Sequence, residues 1–302
     1  METAQKRTNV LLWVILGGGA LFFFILCLAA LFVFYTNSGS SGFSLSSNQI
    51  ASLELEGIIA DSKEFVDQLE EYGTRPGVKA VVLRINSPGG GVVASQEIFE
   101  AIKKFRSKTK KKVVVSMSSV AASGGYYVAC ASDKIFANPG TITGSIGVIA
   151  EWYNYGDLLR WAKMQSIVFK SGDLKDAGSP TRPLTEAEKV YFQSLIDNMY
   201  VQFVSDVAKS RKMKEEDVRK LADGRVYTGQ EAKANHLIDD IGTLQDAIDA
   251  AAKMSGIENP DIVTPVKKRL TLLDLILGDA RTALSLNQDR SESHIRFKYL
   301  WR

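Results

Sequence analysis

The stretch VAASGGYYVACASDKIFAN, Val120 to Asn138, runs small residues into Ser123, then two glycines, two tyrosines, a helical segment and a short apolar run. Glycine and small side chains let a backbone turn sharply and pass close to another atom, whether a packed neighbour or a bound molecule. Taken alone, SGG reads as a tight turn from strand to helix. The residues on either side decide whether Ser123 is more than that.

Upstream, KKVVVSMSS reads as a strand, and before it RINSPGGGVVAS goes from strand through Pro88 and three glycines into the amphipathic helix VVASQEIFEAIKKFRS. IASLELEG and VKAVVLRINS read as strands around the helical KEFVDQLEEYG, and DKIFAN, TITGSIGVIA and QSIVFKSG as strands further on, with the helical GDLLRWAK between the last two. Repeated βα units with apolar strands predict a largely parallel sheet covered by helices. From Leu184 the chain turns helical. Thr185 and Glu188 form a capping box, and Phe192, Leu195, Ile196, Met199, Phe203 and Val207 follow as one apolar stripe at helical spacing, a core or subunit interface. EEDVRKLADG and GTLQDAIDAAAKMSG read as two further helices.

At 302 residues, 45% hydrophobic and 24% charged, with a net charge of +3, the chain is ordinary for a globular protein. Its cysteines, Cys27 and Cys130, suggest no disulfide, and His236 and His294 are too few for a histidine-rich metal site. Neither a P-loop, a GxGxxG fingerprint nor zinc-ligand spacing occurs, so no cofactor or metal is expected. Val10 to Tyr35 is 26 residues without a charge, longer than the roughly 20 needed to cross a bilayer. Lys6 and Arg7 precede it and no basic residue follows until Lys63. The positive-inside rule then predicts a cytoplasmic N-terminus at 1–9, a transmembrane signal-anchor over 10–35 and everything beyond outside the cytoplasm. A serine- and glycine-rich linker over 36–49 leads to a soluble domain over 50–265 and a tail over 266–302. The basic run Lys103 to Lys112 reads as a solvated helix end, with attraction to anionic lipid as the alternative; nucleic acid is not expected.

In a parallel sheet both glycine turns fall at the carboxyl ends of strands, where open α/β sheets bind ligands. Helix N-termini expose unpaired N–H groups, and two side by side can aim donors at one oxyanion. The candidate donors are the N–H groups of Gly90 and Gly124. A serine facing such a hole needs a base. Neither histidine has local support for that role: His236 suits a surface or capping position, and His294 lies in a polar tail. Burial can bring a lysine from about 10.4 to the 7–8 range useful to a general base, and VFKSGDLKDAGSP offers Lys170 and Lys175, between which spacing does not choose.

INSPGG, ASGGYYVACASDKI, TGSIGV and KSGDLKD, in this order, resemble the signal peptide peptidase A family of membrane-bound serine proteases, over about Ile50 to Gly256. The resemblance implies a crotonase/Clp-protease-like α/β fold with a helical C-terminal part and a serine–lysine dyad. It makes Ser123 the nucleophile, Lys175 the general base, Ser145 the residue that orients the lysine, and Gly90 an oxyanion donor. It also implies a short, single-catalytic-domain form assembled as a homo-oligomeric ring, an octamer. Neighbouring subunits would complete each site, and apolar extended peptides such as signal-peptide remnants would be the substrates. Asp176, beside Lys175, would favour the charged lysine unless paired elsewhere. Two other readings share the fold: an acyl-CoA hydratase or isomerase, and a non-enzymatic membrane scaffold. The last residues read as a disordered end, with docking into an active site as a self-substrate the alternative.

Overall fold

The computed structural model describes residues 48–265 and 296–300, together with 19, 23–25, 27 and 28 near the N-terminus. The chain divides into two units, Met1–Leu45 and Ser46–Arg302. In the first, the described residues are helical. Most of the expected membrane span lies outside the described residues; among those described, no helix is long and apolar enough to cross a membrane. The linker over 36–49 lies outside them too, except for its last two residues.

The second unit begins with strand β1 (Gln49–Glu56), helix α1 (Lys63–Thr74) and β2 (Val78–Ser87). The three-glycine segment is itself a short strand, β3 (Gly89–Gly91), leading into α2 (Val92–Thr109) and β4 (Lys112–Ala122). Then come α3 (Gly124–Ala129), β5 (Lys134–Ala137), β6 (Ile142–Gly144), β7 (Ile149–Glu151) and α4 (Gly156–Trp161). The C-terminal part holds α5 (Glu186–Arg211), α6 (Glu215–Leu221), β8 (Val226–Thr228), α7 (Gly229–Ala234), β9 (Asp240–Ile241), α8 (Leu244–Ser255), β10 (Asp261–Val263) and β11 (Arg296–Leu300).

The main sheet runs β10-β1-β2-β4-β5-β9 in parallel, and β6 pairs parallel with the end of β4 and antiparallel with β8. Both faces are covered, and the sequence shows why. On β2, Val81, Leu83 and Ile85 enter the larger core with α1, α2 and α3, while Ala80 and Val82 face α8. On β4, Val113, Val115 and Met117 take the first side and Val114 the second. Successive side chains on a strand point to opposite faces, so an unbroken apolar run is what a strand buried on both faces requires.

The helix termini follow their caps. Thr185 accepts from the Glu188 N–H while the Glu188 carboxylate accepts from the Thr185 N–H, closing the expected capping box at the start of α5. Gly256, at φ 65°, ends α8 in the left-handed conformation. The basic run is partly structural. Arg106 pairs with Asp133, and the Lys111 ammonium donates to the carbonyls of Tyr72, Gly73 and Arg75 at 2.8–2.9 Å, closing the end of α1.

Three expectations need correction. TITGSIGVIA is not one strand: Gly144 and Ser145, at φ 79° and 51°, turn the chain out of the main sheet, so β6 and β7 belong to different sheets. QSIVFKSG is not a strand either, and Ile167, Val168 and Phe169 stand 72%, 52% and 95% exposed. A short apolar run shows that a segment is to be covered, not what covers it. The last residues do not read as a uniformly disordered end, because Arg296–Leu300 is strand β11, seated between β3 and β7 in a second, antiparallel sheet.

Candidate active site

β4 and β6 run parallel with Ala122 opposite Gly144, so Ser123 and Ser145 leave adjacent strands at the same level. The Ser123 N–H donates to the Gly144 carbonyl at 2.7 Å, and the Ser123 carbonyl accepts from the Tyr127 N–H at 2.8 Å to begin α3. Between these bonds the backbone is forced to φ 53°, ψ −115°. A non-glycine residue held there stores on the order of 1–3 kcal/mol of strain, which persists only when the surroundings over-determine it. Ser123 is 1% exposed, and its hydroxyl does not cap the helix that it precedes.

The second turn meets the first. The Ser87 hydroxyl donates to the Gly57 carbonyl and accepts from the Gly89 N–H, folding SPGG back towards the sheet. A side chain on Gly124 would lie 2.5 Å from the Ser95 hydroxyl oxygen and 3.2 Å from the Gly90 nitrogen. Gly90 has no more room, its Cβ position being 2.1 Å from the Ile59 carbonyl oxygen. The two expected donors, Gly90 and Gly124, are therefore neighbours in space. Gly89, which sequence reasoning missed, sits between them at φ 99°. Its Cβ position lies 2.0 Å from the Tyr299 carbonyl oxygen and 2.6 Å from the Gly124 nitrogen.

That carbonyl arrives on β11, which pairs antiparallel with β3 on one side (Tyr299 opposite Gly90) and with β7 on the other (Phe297 opposite Ala150). An extended segment thus fills the slot between β3 and β7, its Tyr299 carbonyl beside the helix N-terminus that Ser123 opens. The Tyr299 side chain is 0% exposed. It packs on Phe203 at 4.6 Å and Tyr127 at 5.4 Å between ring centroids, with Phe99 behind Tyr127 at 4.7 Å. Sequence reasoning placed Phe203 in an apolar stripe and assigned no site to it; the two tyrosines of SGGYY were the available signal.

The lysines are not equivalent. The Lys170 ammonium is bound to the Asp173 carbonyl and to Asp176, which also pairs with Arg182. The hydrogen bond from Lys170 first, and that from Arg182 second, hold the Asp176 carboxyl below the usual carboxylate range. Asp176 is thus paired away from Lys175. Lys175 is exposed, and its side chain has no hydrogen bond or ion pair with another described residue. Ser145, at φ 51° and 6% exposed, borders an open cleft with Gly147, Ile149, Tyr200 and Asp223. Ser123 and Ser145 are therefore brought together with Gly90 and Gly124, while Lys175 stands in solvent on the loop before α5.

His236 is exposed at φ 60° after α7, where its carbonyl accepts from Arg211; His294 lies outside the described residues. Cys130, in the turn after α3, is no rival nucleophile, because burial pushes its thiol up to about 12. Among the described residues no group of acidic, histidine or cysteine side chains could hold a metal ion.

A sheet of this topology, ending in a serine on a strained turn beside a cluster of amides, is the frame of a Clp-protease-like hydrolase, and residues 50–141 match the Clp protease family. Residues 105–258 match Peptidase family S49; the chain belongs to that family and is a serine-type peptidase of the signal peptide peptidase A group. A protein of Enterococcus faecium assigned the name signal peptide peptidase SppA is 38% identical over 231 residues, covering 72% of this chain and 67% of that one. A protein of Synechocystis sp. assigned as protease slr0021 is 41% identical over 232 residues, 74% of this chain and 83% of its own. The chloroplastic serine protease SPPA of Arabidopsis thaliana is 33% identical over 215 residues, 71% of this chain but 30% of its own length.

Proposed function

We propose that the chain is a membrane-anchored, extracytoplasmic endopeptidase that cuts extended apolar peptides, including signal-peptide remnants, with a Ser123–Lys175 dyad. The observation that carries this reading is the Tyr299 carbonyl, delivered on an added strand to the Gly89–Gly90 and Gly124 backbone. Strand addition recognises main chain rather than sequence and leaves side-chain pockets to supply preference. β11 stands in for a substrate in this slot.

In the reaction, the Ser123 hydroxyl proton passes to the free amine of Lys175 as the oxygen attacks the peptide carbonyl. The Gly90 and Gly124 N–H groups stabilise the resulting oxyanion, each such donor being worth about 2.7–4 kcal/mol in the transition state. The lysine ammonium returns the proton to the departing amine. Water, deprotonated by the same lysine, then releases the acyl group from Ser123.

An exposed Lys175 and a buried Ser123 imply that a second copy of this chain completes the site. Ahead of Lys175 in the chain, the end of α4 exposes Trp161 (82%) and the segment after it Ile167 (72%) and Phe169 (95%), apolar side chains of the kind that subunit contact covers. The cleft beside Ser145 offers a neighbour's lysine an approach, and Ser145 would orient it. A ring of copies, an octamer, meets this requirement for every site. The charge-free run Val10 to Tyr35 supports the anchor, and the lysine pattern around it supports an N-terminus in the cytoplasm.

Ser123→Ala tests the proposal. It should abolish peptide hydrolysis while circular dichroism and assembly stay as in the parent. Appreciable turnover in that variant would remove Ser123 from the role.

A further inference from the structure

The three-glycine strand is held in place from outside its own sequence. Glycine is the least restrained residue, and Pro88 has no N–H to anchor the turn. An oxyanion donor acts, however, only when it is aimed before the reaction begins. The hydrogen bonds show what does the aiming. Gly89, at φ 99°, is gripped at both ends: its N–H donates to the Ser87 hydroxyl at 3.1 Å, and its carbonyl accepts from the Ile59 N–H at 2.9 Å. The Gly91 N–H donates to the Ile59 carbonyl at 2.8 Å, which completes a parallel bridge between Ile59 and Gly90.

These bonds single out one donor. A trans peptide is planar, with its carbonyl oxygen and amide hydrogen on opposite sides. The Gly89 oxygen and the Gly90 N–H belong to one such peptide. An oxygen held by Ile59 therefore turns the Gly90 N–H away from Ile59 and into the slot, where Tyr299 is its opposite number. The N–H groups of Gly89 and Gly91 are used within the domain, and that of Gly90 faces the slot.

We propose that Ser87 is a positioning residue, whose hydroxyl pins Gly89 to the Gly57–Ile59 segment and thereby aims the Gly90 N–H at the carbonyl that Ser123 attacks. The inference rests on the peptidase reading above and adds to it the side chain that sets the oxyanion donor. Ser87 and Ile59 are both buried. The hydroxyl proton goes to the Gly57 carbonyl at 2.6 Å, two residues before Ile59, while the hydroxyl oxygen accepts from Gly89. One group thus ties together the two chain segments that hold the Gly89–Gly90 peptide. The part played by Gly57 is that of a main-chain oxygen, which a side chain at 57 would leave in place. Without the hydroxyl, the buried Gly89 N–H loses its partner and the glycine regains its freedom to rotate.

The test compares Ser87→Ala with a matched loss elsewhere. The buried Thr141 hydroxyl makes the same kind of pair, donating to the Ser118 carbonyl at 2.7 Å and accepting from the Asn138 N–H at 3.1 Å. Thr141→Val removes that pair without touching SPGG. The assay uses the full chain in detergent and a peptide carrying RFKYLWR, taken from the strand that fills the slot. Both variants should lower the thermal midpoint. Only Ser87→Ala should lower kcat, by about 10- to 100-fold, with KM within about 3-fold of the parent. An RFKY peptide aldehyde, whose hemiacetal oxygen would occupy the oxyanion position, should lose affinity by the same factor as kcat/KM. The matching peptide alcohol, which forms no adduct, should bind as in the parent. Ser87→Cys, a weaker donor of similar size, should recover part of kcat, and it carries the same comparison if Ser87→Ala does not assemble. Parent-like kcat in Ser87→Ala, or equal losses of kcat in the Ser87 and Thr141 variants, overturns the positioning role and leaves the peptidase reading intact. Absence of Ser123-dependent cleavage in the parent chain overturns the peptidase reading and this inference with it.

Discussion

Ser123 and Ser145 sit side by side at the ends of two parallel strands, each with a left-handed backbone, φ 53° and 51°. Two non-glycine residues in that region, one strand apart, are uncommon, and the bonds that hold them are linked: Ser123 N–H to the Gly144 carbonyl, Ser145 N–H to the Arg225 carbonyl. The arrangement turns both residues out of the sheet at one level. If Ser145 orients the lysine rather than reacting, Ser145→Ala should lower kcat by about 10- to 100-fold with KM little changed, short of the loss in Ser123→Ala. Steady-state kinetics on one peptide separates the two, and Ser145→Thr should recover part of the rate.

Lys175 and Lys170 should part in the same assay. Lys175→Ala is expected to be inactive, and Lys170→Ala to keep most activity, since Arg182 still pairs with Asp176. Mixing the two inactive chains, Ser123→Ala and Lys175→Ala, during assembly tests the shared site. A dyad drawn from adjoining copies restores activity at about one quarter of the sites by random neighbour pairing. No recovery, with mixed assembly confirmed by mass, places both residues in one chain.

Gly89→Ala should cost roughly 100-fold or more in kcat/KM. The added methyl would lie 2.0 Å from the Tyr299 carbonyl oxygen and 2.6 Å from the Gly124 nitrogen, so it intrudes on both the peptide and its donor. Gly57→Ala is the control: it too has a positive φ, 70°, but nothing within 4 Å of the new methyl. It should lose on the order of 1 kcal/mol of stability and keep its activity. Similar inactivation of both would point to backbone strain rather than to the slot.

The parts of the fold that were readable from sequence are those whose signal is local. VKAVVLRINS could only be a strand buried on both faces, and TEAE could only open a helix, because alternation and capping act between near neighbours. The glycine turns were readable as turns, and their closeness in space followed from parallel strand order. Phe203 and Tyr127 were not readable as a pocket, because ring packing between α3 and α5 joins residues 76 apart and looks, in sequence, like core. The same holds for the segment before Lys175: Ile167 to Phe169 are apolar and read as a strand, and nothing in so short a run shows that the fold leaves them exposed.

The loop that carries Lys175 should be acid-labile. Arg182 joins Asp176 to Glu188, whose side chain is 2% exposed. The hydrogen bond from Arg182 is the chief cause that depresses Glu188 from 4.5 to about 2. A carboxyl depressed on folding stabilises the native state above its unfolded value and loses that contribution as the pH falls towards the folded one. Stability from this pair is thus complete above about 4.5 and fades between 4.5 and 2. Glu188→Gln should lower the thermal midpoint at pH 7 and show a shallower fall than the parent between pH 5 and 3. Parallel curves for the two proteins would mean that this pair does not set the acid limit.

The added strand makes the chain a candidate substrate of its own kind. With the Tyr299 carbonyl at the Gly89–Gly124 corner, the next bond is Tyr299–Leu300, and cutting it removes Leu300, Trp301 and Arg302. Accurate mass of the purified chain should then show loss of these three residues in the parent and an intact C-terminus in Ser123→Ala. After such a cut the new carboxylate would remain at the Gly89–Gly124 corner, so the tail would compete with substrate as a bound product. Tyr299→Ala should therefore lower the apparent KM for added peptide while leaving kcat unchanged. Identical masses in parent and variant, together with an unchanged KM, would show that β11 lies in the slot without being read as a substrate.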